Sequence, residues 1–176
     1  MITRALCLLL VAGTVGAQAP AKKAAPASVM SDVRQLWTQS TEYLARSAAA
    51  VPDSLYSFRP TAAVRTFGQL IGHVAGTQNL LCAVSLGEKT LPAEDEIEKS
   101  ATTKAALVQA LAASNAKCTR AYAQVDAAVG GIVDVFGRPG TRRSALMLNA
   151  THNFEHYGNV ITYMRMNGMV PPSSQQ

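Results

Sequence analysis

His152 and His156 stand four residues apart in the stretch NATHNFEHYGNV (149–160), and the 176-residue chain has only one other histidine, His73. Side chains four apart on a helix lie one above the other on the same face. An imidazole pair placed in this way can chelate one metal ion, the geometry that H-E-x-x-H helices use. A third neutral imidazole from His73 would complete a set with positions left open for water or substrate, as in catalytic zinc sites. Spacing alone leaves a second reading open, in which histidines on an interior face are hydrogen-bonded core residues. Residues 152–156 also fit H-x-x-E-H, but that motif needs a further acidic ligand downstream. No Asp or Glu follows Glu155.

The elements that must position these residues show a helical period. Ser31 or Asp32 can cap a first helix over about 31–50, where Val33, Leu36, Trp37, Leu44 and Ala48 recur on one face until Pro52 forbids continuation. Thr66 can cap a second over about 66–86, striped by Phe67, Leu70, Ile71, Val74 and Leu81 and closed by Gly87. The acidic stretch LPAEDEIEKS (91–100) reads as a turn. Leu107, Val108, Leu111, Cys118, Tyr122 and Val125 then mark a third helix ending at Gly130-Gly131. A fourth runs over about 141–167 and is closed by Gly168, with Pro171-Pro172 beyond it. GIVDVFGRPG (131–140) is short and Gly-rich, so it makes an extended connection or a small ribbon. The fold class is therefore all-α, most simply a four-helix bundle. Asn149, His152, Asn153, His156, Val160 and Tyr163 share one face of the fourth helix, and His73 lies beside the Leu70 and Val74 stripe.

The N-terminus reads as an address. After Met1 and Arg4 the run ALCLLLVAG is a short apolar core, and Val15-Gly16-Ala17 suits a signal peptidase, so residues 1–17 read as a signal peptide. The run is too short for a membrane anchor, which needs about 20 apolar residues. Residues 18–30 (QAPAKKAAPASVM) have no apolar period and read as a flexible leader to a single domain over 31–176. Losing Arg4 takes the formal charge from +5 to +4, with the remaining positive charges scattered. There is no basic stripe of the kind nucleic acid requires. A periplasmic or secreted location follows, with no membrane association after cleavage. The two cysteines left after cleavage, Cys82 and Cys118, then meet an oxidising compartment and can pair. If the second and third helices run parallel, the two lie about 24 and 26 Å from their helix starts, at one level.

FRP (58–60), RTFGQLIGHV (65–74), FGRPGTRR (136–143), HNFEHYG (152–158) and YMRMNGMVPPSS (163–174) together resemble the DinB/YfiT-like superfamily of metal-dependent enzymes, across essentially the whole chain after the signal peptide. The resemblance implies a four-helix bundle with up-down-down-up connectivity. It also implies a divalent metal, commonly zinc or nickel, held by one histidine on the second helix and two on the fourth: His73, His152 and His156. Superfamily members are often dimers, so a homodimer is an expectation, and the DNA-damage flavour of the family name implies no nucleic-acid partner. Relatives include thiol-dependent isomerases and transferases.

An exported chain works away from the cytosolic thiol pool, so the first reading is metal-assisted hydrolysis or transfer on a small molecule. Glu155 is a candidate to orient or deprotonate the attacking water, although one residue before His156 turns it about 100° around the helix. Asn149, Asn153 and Tyr163 share the ligand face and can support it, while ordinary polar packing explains them equally well. A second reading is a secreted metal-binding module without turnover. A third, a thiol-dependent S-transferase, needs a basic pocket, for which Arg59, Arg65, Arg142 and Arg143 serve only if the fold gathers them. The signal-peptide reading gives an expected outcome: mass spectrometry of exported protein finds a mature chain beginning at Gln18, and an intact Met1 on exported material contradicts it.

Overall fold

A first helix, α1 (Val29–Ala50), begins where the Ser28 hydroxyl accepts the Ser31 backbone N–H and ends as the chain turns extended at Val51, before Pro52. The computed structural model describes residues 28–175, so the signal segment 1–17 and most of the leader lie outside the described residues. The helix starts slightly earlier than the Ser31 or Asp32 cap expected from sequence. Its reason is tertiary: Asp126 Oδ1 accepts the Met30 N–H at 2.9 Å, satisfying a first-turn donor that local sequence leaves orphaned.

Local chemistry sets the other long helices. In α2 (Phe67–Leu86) Thr66 and Gln69 form a capping box, and Gly87 closes the helix in the left-handed conformation at φ 73°. A short helix, α3 (Glu96–Ser100), lies within the acidic stretch read as a turn. Next comes α4 (Lys104–Tyr122), capped by the Thr103 hydroxyl. It stops well short of Gly130-Gly131, and Val125, expected on its apolar stripe, is 66% exposed. Leaving the helix lets Asp126 reach Met30 and places Val129 in the core. The Gly-rich connection is a two-stranded antiparallel ribbon, β1 (Ile132–Val135) with β2 (Arg138–Thr141), turned by Phe136 and Gly137 at φ 53° and 76°. Thr141 and Ser144 then cap α5 (Arg142–Met166) reciprocally.

Side-chain pairs give the directions. Gln78 of α2 meets Ser114 and Asn115 of α4, and Cys82 meets Cys118, so numbers rise together and these helices run parallel. Ser40 and Tyr43 of α1 face Asn153 and Tyr157 of α5, another parallel pair. Trp37 reaches Gln78, while Met30 clusters with Cys82, which sets α1 against α2. The bundle is therefore up-down-down-up. Its interior divides into a cluster around Leu44, Ile71, Val74, Leu111 and Val160, a second around Met30, Trp37, Tyr122, Val129 and Leu146, and a small third of Leu81, Val84 and Ala145. Among the described residues no helix is long and apolar enough to cross a membrane.

Glycines on α2 admit α3. A Cβ on Gly76 would run into the Glu94 carbonyl oxygen, and one on Gly72 would stand 2.9 Å from the Glu98 Cα. The backbone of the acidic stretch therefore lies directly on α2, carrying Glu94 and Glu98 with it.

Cys82 and Cys118 form a disulfide with a Cα separation of 5.3 Å. Closing a loop with a sequence separation of 36 contributes about 3–4 kcal/mol in the chain-entropy model. Urea unfolding of the oxidised chain and of Cys82→Ser/Cys118→Ser should differ by roughly that amount, with helical circular dichroism retained. Coincident unfolding curves would contradict this role.

Candidate metal centre and its cleft

His73 on α2 and His152 and His156 on α5 converge on one point. His152 Nε2 stands 3.1 Å from His73 Nε2 and 3.0 Å from His156 Nε2. The three ring centroids are 4.3 to 5.0 Å apart. His73 and His156 are buried and His152 half-buried. A neutral ring nitrogen carries either a proton or a lone pair, so His152 Nε2 cannot donate to one neighbour while accepting from the other. The hydrogen-bonded core reading therefore requires His152 Nε2 to share one proton or one lone pair between both neighbours.

A cation would account for both approaches, and the ligand atoms of the three histidines all lie within 4.8 Å of one another. Two nitrogens each about 2.0–2.1 Å from one zinc-like ion stand about 2.9 Å apart at a right angle and about 3.3 Å apart at the tetrahedral angle. The observed 3.0 and 3.1 Å fall between these values. Protonation also favours ligation, because only neutral imidazole binds a metal. Burial, reinforced by the other two histidines and by Arg65, pushes His152 down to about 3. Burial, with His73 and Arg65, pushes His156 down to about 4 against the opposing pull of Glu155 and Glu98. His73 is lowered by burial and then by Arg65, with Glu94, Glu98 and Glu155 pulling the other way. All three rings are neutral at pH 7.

The opposite edges of the rings face protein. His73 Nδ1 is buried without a hydrogen-bond partner among the described residues, with Glu98 Oε2 at 3.6 Å and Glu94 Oε1 at 3.9 Å. A His73 whose Nε2 lone pair is committed to a cation carries its proton on Nδ1, where these carboxylates can orient it. Both carboxylates are held in turn. Arg65 Nε donates to both oxygens of Glu98 at 3.1 Å, and the Thr77 hydroxyl donates to Glu94 Oε1 at 3.1 Å.

Beside His156 a cleft of about 530 Å³ opens to solvent, bounded by Arg59, Arg65, Gln69, Glu98, Asn159 and Tyr163. Of the three histidines only His156 lines it. Glu155 is exposed and does not line the cleft, although its charge reaches His73 and His156. The carboxylates that approach the imidazoles are Glu98 and Glu94, in the stretch read from sequence as an acidic turn. The signal for them is G-x-x-x-G-x-x-x-G at Gly68, Gly72 and Gly76, a spacing that lets another backbone come close. Asn149 and Asn153 serve the core: their amides donate to the Tyr122 hydroxyl at 3.1 Å and to Gln78 Oε1 at 3.1 Å. The Tyr163 hydroxyl donates to the Arg65 carbonyl at 2.8 Å. Of the four candidate arginines the fold gathers Arg59 and Arg65. Arg142 and Arg143 begin α5, about 13–15 Å along the helix from His152.

Comparison with known proteins follows the same lines. A DinB-like protein from Bacillus cereus superposes with a TM-score of 0.70 at 21% identity, over 82% of this chain and 96% of that one. A DinB-like protein from Bacillus subtilis gives 0.64 at 20% identity, over 82% and 98%. A variant of the mycothiol-dependent maleylpyruvate isomerase gives 0.65 at 20% identity, over 74% of this chain and 60% of the isomerase. These likenesses establish the fold. Among curated proteins, no sequence matches this chain. The sequence model of the DinB superfamily matches residues 35–160, a span that holds all three histidines and both glutamates beside His73, and the chain belongs to that superfamily.

Proposed function

We propose that the chain is a metal-dependent hydrolase or transferase for a small molecule, with His73, His152 and His156 holding a divalent cation of the zinc or nickel class. The carrying observation is the convergence of three neutral imidazole nitrogens beside an open cleft. A bound cation supplies Lewis-acid polarisation and an activated nucleophile at neutral pH. The chain's own residues do the rest. Glu98 and Glu94 orient His73 through its Nδ1 edge. Arg65 holds Glu98 in place, and the Tyr163 hydroxyl holds the Arg65 backbone. Glu155, exposed next to His156, acts on the site through its charge.

The cleft favours turnover over a binding module without substrate. A thiol-dependent transferase shares the same centre, and the gathering of Arg59 and Arg65 keeps it as the second reading. Export to the periplasm or the medium belongs to the proposal and is supported by the Cys82–Cys118 disulfide.

Cobalt(II) titration of the metal-free chain tests the centre. One ion should bind per chain, and His73→Ala or His152→Ala should weaken binding about 100-fold or more while far-ultraviolet circular dichroism is kept. A triple alanine variant that binds as tightly as wild type would overturn the assignment. Cobalt- or zinc-loaded chain that turns over no member of a panel of esters, amides and thiol-acceptor electrophiles would instead favour the binding module.

Proton linkage gives a second test on the metal-free chain. The histidine pKa values are lowered in the folded state, so the unfolded chain takes up protons first as pH falls below about 6.5. Stability from this source is full above that pH and is lost on the way down toward the folded values of about 4 and 3. Between pH 7 and 5 the wild type should lose more unfolding free energy than the triple alanine variant. Parallel urea midpoints over that range would contradict the buried neutral state.

A further inference from the structure

We propose that the cleft beside His156 takes a small molecule with one free carboxylate, gripped by Arg59 and Arg65. This deepens the metal-dependent reading, on which it rests for where the reacting group lies but not for the grip itself.

Two guanidinium groups reach the cleft and only one carboxylate, Glu98, opposes them. Arg65 spends its Nε on both Glu98 oxygens, and its terminal nitrogens make no hydrogen bond among the described residues. Glu98 thus fixes the Arg65 side chain while leaving most of its donors for a ligand. Among the described residues Arg59 makes one hydrogen bond, Nη1 to the Ala62 carbonyl at 3.4 Å, and is otherwise exposed at the lip. Two arginines against one glutamate leave the cleft wall with an excess of guanidinium over carboxylate, which favours an anionic ligand. Guanidinium forks also suit the planar carboxylate, which accepts two parallel N–H bonds.

The grip is built on an anchored loop. Phe58, beside Arg59, packs its ring edge-on to Tyr163 with centroids 5.8 Å apart, and its carbonyl accepts the Phe67 N–H at 2.8 Å. The Tyr163 hydroxyl fastens the Arg65 carbonyl from below. Both arginines therefore leave backbone tied to the core, which lowers the ordering cost of binding. Ala63, Val64 and Leu70 give the cleft an apolar wall for the carbon skeleton. Its volume of about 530 Å³ lies within the range of small-molecule sites.

Benzoate and benzamide, alike in shape and different in charge, test the grip by isothermal titration against the full chain, both metal-free and zinc-loaded. Benzoate should bind at least about tenfold tighter than benzamide in both forms, since charge-assisted hydrogen bonds are roughly twice as strong as neutral ones. Arg59→Ala should lower benzoate affinity about tenfold and leave benzamide unchanged, and Arg59→Lys should restore part of it. Cobalt(II) affinity of Arg59→Ala should equal that of wild type. Benzoate binding that needs zinc and ignores Arg59→Ala would mean that the carboxylate goes to the cation, and would overturn the proposal. Equal affinities for the two probes, or none measurable for either, would overturn it too. A carboxylate preference that depends on Arg59 in a chain that binds no cobalt(II) would uphold the grip and sink the metal reading instead.

Discussion

The carboxamide of Gln78 is where the four long helices meet. Its oxygen accepts from Trp37 Nε1 of α1 at 2.9 Å and from the Asn153 amide of α5 at 3.1 Å. Its nitrogen donates to Asn115 at 2.9 Å and Ser114 at 3.2 Å, both on α4. The group is fully buried and its hydrogen-bonding capacity is used. A sliding of any helix would strand polar atoms out of reach of water, at about 1–3 kcal/mol for each. Apolar stripes tolerate small slips; this network does not. The histidines inherit its register. His73 lies five positions before Gln78 on α2, and His152 and His156 bracket Asn153 on α5. The 3.0 and 3.1 Å approaches of the imidazoles are thus fixed by amide chemistry one turn away.

Glycine sets the electrostatics around that centre. Gly72 and Gly76 have no side chain to hold α3 away, so Glu94 and Glu98 stand against His73 while their backbone lies on α2. Alanine at position 76 would meet the Glu94 carbonyl, and the strap would have to lift. Lifting it moves Glu98, and Arg65, which lines the cleft, loses the carboxylate that accepts from its Nε. One backbone contact therefore governs both the orientation of an imidazole and the positive charge of the cleft wall.

Much of this is legible in the sequence because it depends on short-range order. A period near 3.6 places His152 and His156 on one face and delimits α2 and α5 within a residue or so. Thr66 and Thr141 as caps and Gly87 as a stop are local chemistry. The Cys82–Cys118 bond follows once α2 and α4 run parallel. What the sequence hides depends on partners far along the chain. Helix α1 starts at Val29 because Asp126, 96 residues away, supplies an acceptor for Met30. Helix α4 stops at Tyr122 for the same reason, against an apolar pattern that runs on to Val125. Glu98 looks like one more solvated acid in LPAEDEIEKS, and only the glycine spacing on another helix hints that its backbone is pressed against α2. Glu155 is the converse, conspicuous next to His156 in sequence and turned to solvent by the helical period.

Three imidazole nitrogens facing one another are a crowded arrangement in a metal-free chain, since the two short contacts of His152 Nε2 must share a single proton or a single lone pair. A protein holds such a cluster only if the rest of the fold prevents the helices from moving apart. The bundle does this with an uneven division of labour. The half beyond Gln78 is sealed: Trp37 stacks on Tyr122 at 4.4 Å, the Tyr122 hydroxyl donates to the Leu146 carbonyl at 2.7 Å, and the disulfide closes α2 onto α4. The other half is opened by the loop that carries Arg59 and Arg65, leaving His156 at the cleft. Stiffness at the sealed end is transmitted through the amide network at mid-bundle, so His156 can border the open cleft without letting the imidazoles relax away from one another.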